Sequence, residues 1–169
     1  MGDELLQLVD QEGRPAGAAE RSLCHGNPEL IHAVVHLYLF DSRGRLYLQK
    51  RAQGKDTFPG RWDTSVGGHL GAGESPRQAL EREALEELGL AVRELRERRE
   101  LEPFLLRSQW ESEYVFPFRA VYDGELRPNP EEISEGRFDS PDAIRRRILA
   151  HPEEFTPHFR QAFSRLTGG

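Results

Sequence analysis

The sequence predicts an α/β/α sandwich built on a mixed β-sheet. Three observations lead there. Strand-like segments recur through the first 122 residues, one well-capped amphipathic helix interrupts them, and two helical segments close the chain. The 169 residues suffice for a sizeable core and are too few for two ordinary domains, so residues 1–169 are read as one domain.

Residues 4–9 followed by Gly13-Arg14-Pro15 read as a strand and hairpin turn. Residues 31–40 (IHAVVHLYLF) are the longest apolar run, and ten residues suit a buried strand rather than a membrane span. Asp41-Ser42-Arg43-Gly44 has turn composition and joins this run to a second strand over 45–51. Gly54, Pro59 and Gly60 make 52–62 a loop. Residues 62–66 form a short strand, and the Gly-rich 67–73 a second loop. A helix then starts with Ser75 as cap, Pro76 in the first helical position and Gln78 completing a capping box. Leu80, Ala84 and Leu88 repeat every fourth residue as a packing seam, with Glu81 falling near it, and Gly89 supplies the stop. Residues 91–106 and 111–122 read as strands, Pro128 and Pro130 break the chain, and 141–149 and 153–166 read as the closing helices.

Composition narrows the function. Hydrophobic residues at 37% and charged residues at 31% describe a folded, soluble protein. A formal net charge of −6 argues against nucleic acid as a partner, because phosphate neutralisation needs clustered Lys and Arg. The single cysteine, Cys24, excludes an intrachain disulfide and a four-cysteine zinc site and reads as a packed or partly exposed thiol. MGDELLQLVD lacks a secretory pattern and no apolar run reaches membrane length, so the expectation is a cytoplasmic protein without a membrane partner.

The chemistry concentrates in GHLGAGESPRQALEREALEELGL, residues 68–90. Glu83, Glu86 and Glu87 share one helix face, where each exposed like-charge pair costs about 0.2–0.5 kcal/mol. They also lie near the helix C-terminus, where the macrodipole disfavours negative charge. A divalent cation reverses both penalties, and oxygen ligands without cysteine point to Mg²⁺ or Mn²⁺. Gly67, Gly68, Gly71 and Gly73 let the preceding backbone turn its polar groups toward a ligand.

The order is Gly68, five residues, Glu74, seven residues, Arg82-Glu83, two residues, Glu86-Glu87, one residue, Gly89 and an aliphatic Leu90. It resembles the Nudix box of the Nudix hydrolase superfamily, departing only at Ala84, where the family usually carries a larger aliphatic residue. The resemblance implies the Nudix α/β/α fold and Mg²⁺- or Mn²⁺-dependent hydrolysis of a diphosphate linkage. It implies metal binding by Glu83, Glu86, Glu87 and the Gly68 carbonyl, a Glu74–Arg82 brace, and a structural Gly89. Glu86 or Glu87 is then the proton acceptor. Glu131, Glu132 and Glu135 are later acids that a base outside the box would use. The superfamily also admits a homodimer.

A longer stretch resembles a second group, the type 1 isopentenyl-diphosphate isomerases, which share the Nudix fold. It runs from Leu8-Val9-Asp10 through His25, His32, RLYLQKRAQGKDTFPGRWDTSVGGH and ESEYVFPF. The resemblance implies a second metal site at His25, His32, His69, Glu111 and Glu113, and diphosphate binding by Arg51 and Lys55. Lys50 and Lys55 are the only lysines, both beside Arg51, which suits a phosphate-binding patch. His36 shares the strand face of His32 and reads as a core residue. The isomerase's catalytic cysteine falls at Gly67, and its carbocation-facing tryptophan falls near His158. The leading expectation is therefore a Nudix pyrophosphohydrolase acting on a small nucleoside-diphosphate-type or isoprenoid-type substrate. The alternatives are an isopentenyl-diphosphate isomerase-like enzyme and a non-catalytic diphosphate-binding domain.

Overall fold

The computed structural model describes residues 2–168. In chain order the elements are β1 (Leu5–Val9), β2 (Pro15–Glu20), α1 (Arg21–Cys24), β3 (Ile31–Phe40), β4 (Leu46–Arg51), β5 (Trp62–Asp63), β6 (Val66–His69), α2 (Pro76–Leu88), β7 (Arg96–Glu100), β8 (Phe104–Arg107), β9 (Ser112–Val121), β10 (Ile133–Asp139), α3 (Pro141–Ala150) and α4 (Pro157–Leu166). The ten strands form one mixed sheet with β3 as its hub. β3 runs antiparallel to β1, β4 and β6 and parallel to β9. β4 extends the sheet through β5 and β10, while β7 and β8 both pair with β9.

β3 is buried along its whole length, and its period of two divides the molecule. Ala33, Val35, Leu37 and Leu39 pack with Ala79, Leu80, Ala84 and Leu88 of α2. Tyr38 and Phe40 face the other way, into a core with Ile144 of α3 and Phe159, Ala162 and Phe163 of α4. Helices thus cover both faces, as the α/β/α reading expects. The same alternation puts His32 and His36 on the α4 side. The parallel register sets Glu113 of β9 directly beside His32.

α2 begins and ends where the sequence indicates. Ser75 and Gln78 form a reciprocal capping box, Pro76 opens the helix, and Gly89 adopts the left-handed conformation at φ 61°. Glu81, placed near the packing seam by sequence, is exposed.

Other boundaries differ from the sequence reading. The strand over 62–66 is interrupted at Thr64 and Ser65, and Gly67–His69, read as loop, pair with Val34–His36. Backbone pairing there overrides the low strand propensity of glycine. Residues 91–106 divide into a 3₁₀ turn, β7 and β8. The helix over 153–166 is a 3₁₀ turn followed by α4, because Phe155 leaves the helix to bridge Trp62. The short α1 and the whole of β10 are absent from the sequence reading. β10 reads as ISEGRFD, is mostly exposed, and is held as a strand by its pairing with β4. No helix among the described residues is long and apolar enough to cross a membrane.

Candidate active site and metal centre

One cavity of about 390 Å³ opens between the β6–α2 corner and the ends of β3, β9 and α4. Gly68, His69, Glu83, Glu86 and Glu87 line one side, and Glu111, Glu113 and His158 another. Arg51, at the end of β4, and Lys55, in the loop after it, also line the cavity.

On the box side the loop and helix are tied together by Arg82. Its Nε and Nη2 donate to the two Glu74 carboxylate oxygens at 2.9 and 3.0 Å, and Nη2 also donates to the His69 carbonyl at 2.9 Å. Glu74 in turn accepts from the Gly71 N–H at 2.8 Å. Gly68 is needed for close approach, since a Cβ there would lie 2.2 Å from the Glu83 carboxyl carbon.

The three box carboxylates have different surroundings. Glu83 accepts from Arg82 Nη1 at 2.6 Å, and buried Glu87 accepts from Gln49 Nε2 at 2.7 Å. Glu86 is open to solvent and meets Arg82 only at 3.4 Å. Burial pushes the Glu83 carboxyl up to about 7, against the opposing pull of Arg82. Burial and then the Glu83 charge raise Glu87 well above the usual carboxylate range. Two carboxyls that resist ionisation, Glu87 buried and Glu83 half-buried, offer oxygen ligands that fit a hard divalent cation supplied from outside.

The second cluster gathers residues from four segments: the end of α1, β3, β6 and the start of β9. Ligand atoms of His25, His32 and His69 lie within 4.8 Å of one another, as do those of His32, Glu111 and Glu113. Glu83, Glu86 and Glu87 do not converge to that distance as a third such group. His25 Nε2 and both ring nitrogens of His32 are buried and without hydrogen-bond partners. Burial lowers His69 to about 3 and also lowers His25, so both favour the neutral imidazole that ligates metals. Burial alone would raise the Glu113 carboxyl; the imidazoles of His32 and His158 outweigh it and hold it low. Glu111 is raised by burial and then by the Glu113 charge. Orphaned imidazole nitrogens facing two carboxylates fit a divalent cation of the Mn²⁺ or Zn²⁺ type.

Arg51 is oriented by Thr57, whose carbonyl and hydroxyl accept from it at 2.9 and 3.1 Å. Lys55 pairs with Glu132, which lines the cavity; Lys50 is drawn instead to Glu135 at 3.7 Å. Glu131 and Glu135 do not line the cavity. Cys24 is buried and free.

Several cavity groups are not assigned to the site from the sequence, among them His36, Arg21, Gln49 and His158. His36, read as core, is buried, yet its ring lines the cavity beside Gly67. Arg21 reaches the cavity from α1. Gln49 carried a usable signal, being a buried polar residue directly after the apolar run Leu46–Leu48. In the sequence His158 stands only as the position near which the isomerases' tryptophan falls, and the fold turns its side chain toward Glu111 and Glu113.

The chain is 39% identical over 146 residues to a Streptomyces coelicolor protein named isopentenyl-diphosphate Delta-isomerase, covering 85% of this chain and 74% of that one. It is 34% identical to a Leifsonia xyli protein of the same name, covering 91% and 86%. Among solved structures, DR0079 from Deinococcus radiodurans superposes with a TM-score of 0.83 at 28% identity, over 96% of this chain and 98% of that one. A MutT protein from Methanosarcina mazei shares the fold at a TM-score of 0.65 and 21% identity, over 82% and 93%. The NUDIX domain model matches residues 30–159, and the chain belongs to the NUDIX domain family.

Proposed function

We propose that the protein is a divalent-metal-dependent enzyme that hydrolyses a diphosphate linkage in a small substrate. The observation that carries this reading is the box side of the cavity, where three carboxylates face a glycine-lined strand and no thiol is present. Bound cations supply charge neutralisation of the phosphate oxygens and a lowered water pKa. Arg51, held by Thr57, grips the diphosphate, and Lys55 exchanges Glu132 for a phosphate oxygen. Water attacks phosphorus as the anhydride P–O bond breaks, and the departing phosphate takes the bonding pair. The water proton passes to Glu86, the box carboxylate left without a close donor. Glu83 and Glu87 hold the cation, with Gly68 leaving room for them.

A second reading is alkene isomerisation of isopentenyl diphosphate. The names of the relatives favour it over hydrolysis, and the His–Glu cluster supports it. Against it stands Gly67, which offers no proton-transferring group. A Cβ there would meet Thr64 at 3.3 Å and His36 at 3.6 Å, so any side chain would require Thr64 to give by a few tenths of an ångström.

The test is turnover of purified protein with Mg²⁺ and Mn²⁺ against a panel of nucleoside and isoprenoid diphosphates. Phosphate release and double-bond migration are measured together. Release that disappears in Glu86→Gln supports hydrolysis; migration without release replaces it with the second reading. Saturable binding without turnover would make the chain a diphosphate-binding domain.

A further inference from the structure

A second cavity, of about 620 Å³, lies toward the C-terminal end of β3 and shares no lining residue with the first. Its floor is apolar, with Tyr38 and Phe40 of β3, Phe104 of β8 and Leu166 of α4. Three arginines stand around that floor: Arg99 of β7, Arg119 of β9 and Arg165 of α4. The sheet register sets Tyr38, Arg119 and Arg99 in one row across three strands, because Tyr38 pairs with Arg119 and Arg119 with Arg99. Like charges directly opposite each other on neighbouring strands repel. Elsewhere on β7 the charges are matched, Arg96 by Asp123 and Glu100 by Arg77.

Arg119 lies over the Phe40 ring at 4.4 Å, and Arg165 over the Phe104 ring at 4.8 Å. These contacts seat two guanidinium groups on the apolar wall without using their N–H donors. Among the described residues no carboxylate lies within ion-pair distance of any of the three, and none of them donates to a protein acceptor. Glu102, the one acid lining the cavity, pairs with none of them. Arg99 and Arg165 are exposed and Arg119 is half-buried, so all three are open to a ligand. In a chain of net charge −6, three cations left without protein partners at one place run against the composition. An apolar floor with a few converging polar groups is the usual make-up of a small-molecule pocket.

We propose that this cavity binds an amphipathic anion, a small molecule with a flat apolar body and one carboxylate, sulfonate or phosphate head. The body covers Tyr38, Phe40 and Phe104. The head accepts from Arg119 and Arg165, whose forked donors suit such anions, and it relieves the repulsion between Arg119 and Arg99. The site is separate from the diphosphate chemistry and does not depend on what the first cavity turns over.

The experiment is isothermal titration of the full-length protein with cinnamate and with its neutral counterpart, cinnamyl alcohol. One saturable site is expected for cinnamate, with the alcohol about tenfold weaker or more. Arg119→Gln and Arg165→Gln should each weaken cinnamate about tenfold, through loss of a charge-assisted hydrogen bond, and leave the alcohol unchanged. Thermal melts of both variants should match the wild type. Equal affinity for the two probes, no saturable binding of cinnamate, or unaltered binding in both variants would overturn the proposal. Arg51→Gln, in the first cavity, should leave cinnamate binding as it is; a loss there would put the anion at the diphosphate site instead. Sedimentation of the wild type and Arg119→Gln should give equal masses. A wild-type dimer that the substitution dissociates would assign the cavity to a second copy of the chain and overturn the small-molecule site.

Discussion

The two sides of the cavity gather similar ligands by opposite means. The box side comes from one continuous segment, Gly68 to Gly89, whose helical repeat sets its carboxylates on one face. The His–Glu side comes from four segments that the sheet brings together. They also respond oppositely to protons. Glu83 and Glu87 resist ionisation in the fold, whereas His25 and His69 resist protonation. A local motif can therefore be read along the chain, while a cluster built on strand register depends on the tertiary fold.

The largest effect tests whether the two sides divide labour. Glu86→Gln should lower phosphate release about 10²–10⁴-fold while leaving the melting temperature near the wild type, since the side chain is exposed. Glu113→Gln should lower the melting temperature of metal-loaded protein more than it lowers the turnover of the remaining folded fraction. Equal loss of turnover in the two variants, with both fully folded, would break the comparison.

Arg82→Ala removes the donor shared by Glu74, Glu83 and the His69 carbonyl. An expected loss of about 2 kcal/mol in urea unfolding follows from breaking charged hydrogen bonds at a partly exposed site. A loss below a few tenths would mean the loop holds its shape without the brace.

The proton responses separate the sides further. Glu83 has a raised folded pKa, so it binds more protons folded than unfolded between the ordinary value of 4.5 and about 7. Its contribution to metal-free stability therefore falls as pH rises through that window. Glu83→Gln should gain stability over the wild type, in chelator, as pH climbs across it, and excess Mg²⁺ should reverse the order. His69 has a depressed folded pKa, about 3, so its contribution is present above the ordinary 6.5 and is lost as pH falls below it. Thermal melts of the wild type, Glu83→Gln and His69→Gln across pH would show slopes of opposite sign; slopes of one sign would contradict the assignment.

The smallest effect is confined to the box helix. Ser75→Ala should cost about 1 kcal/mol through loss of the cap to Gln78. It should leave the proton NMR resonances of the His–Glu imidazoles unchanged, and a change there would mean the two sides are mechanically coupled.

The limits of the sequence reading are instructive residue by residue. Ser75, Gln78 and Gly89 act through neighbours three or four positions away, and α2 appears where they mark it. β10 lacks an apolar pattern, and only the edge of β4 makes it a strand. Gly67 and Gly68 look like loop residues until pairing with β3 draws them into the sheet. His36 looks like a core residue until the glycine opposite leaves its ring facing the cavity.

By itself the sequence determined the fold class, the box helix with its caps, and the types of residue available to hold cations and phosphate. Those depend on backbone preferences and on side chains repeating every two or four positions. The tertiary structure alone decided which of those residues meet. Register set Glu113 against His32, the start of α4 turned His158 to the Glu113 carboxylate, and burial made Glu83 and Glu87 reluctant to ionise. Distance and desolvation belong to the folded arrangement, and no local stretch of chain encodes them alone.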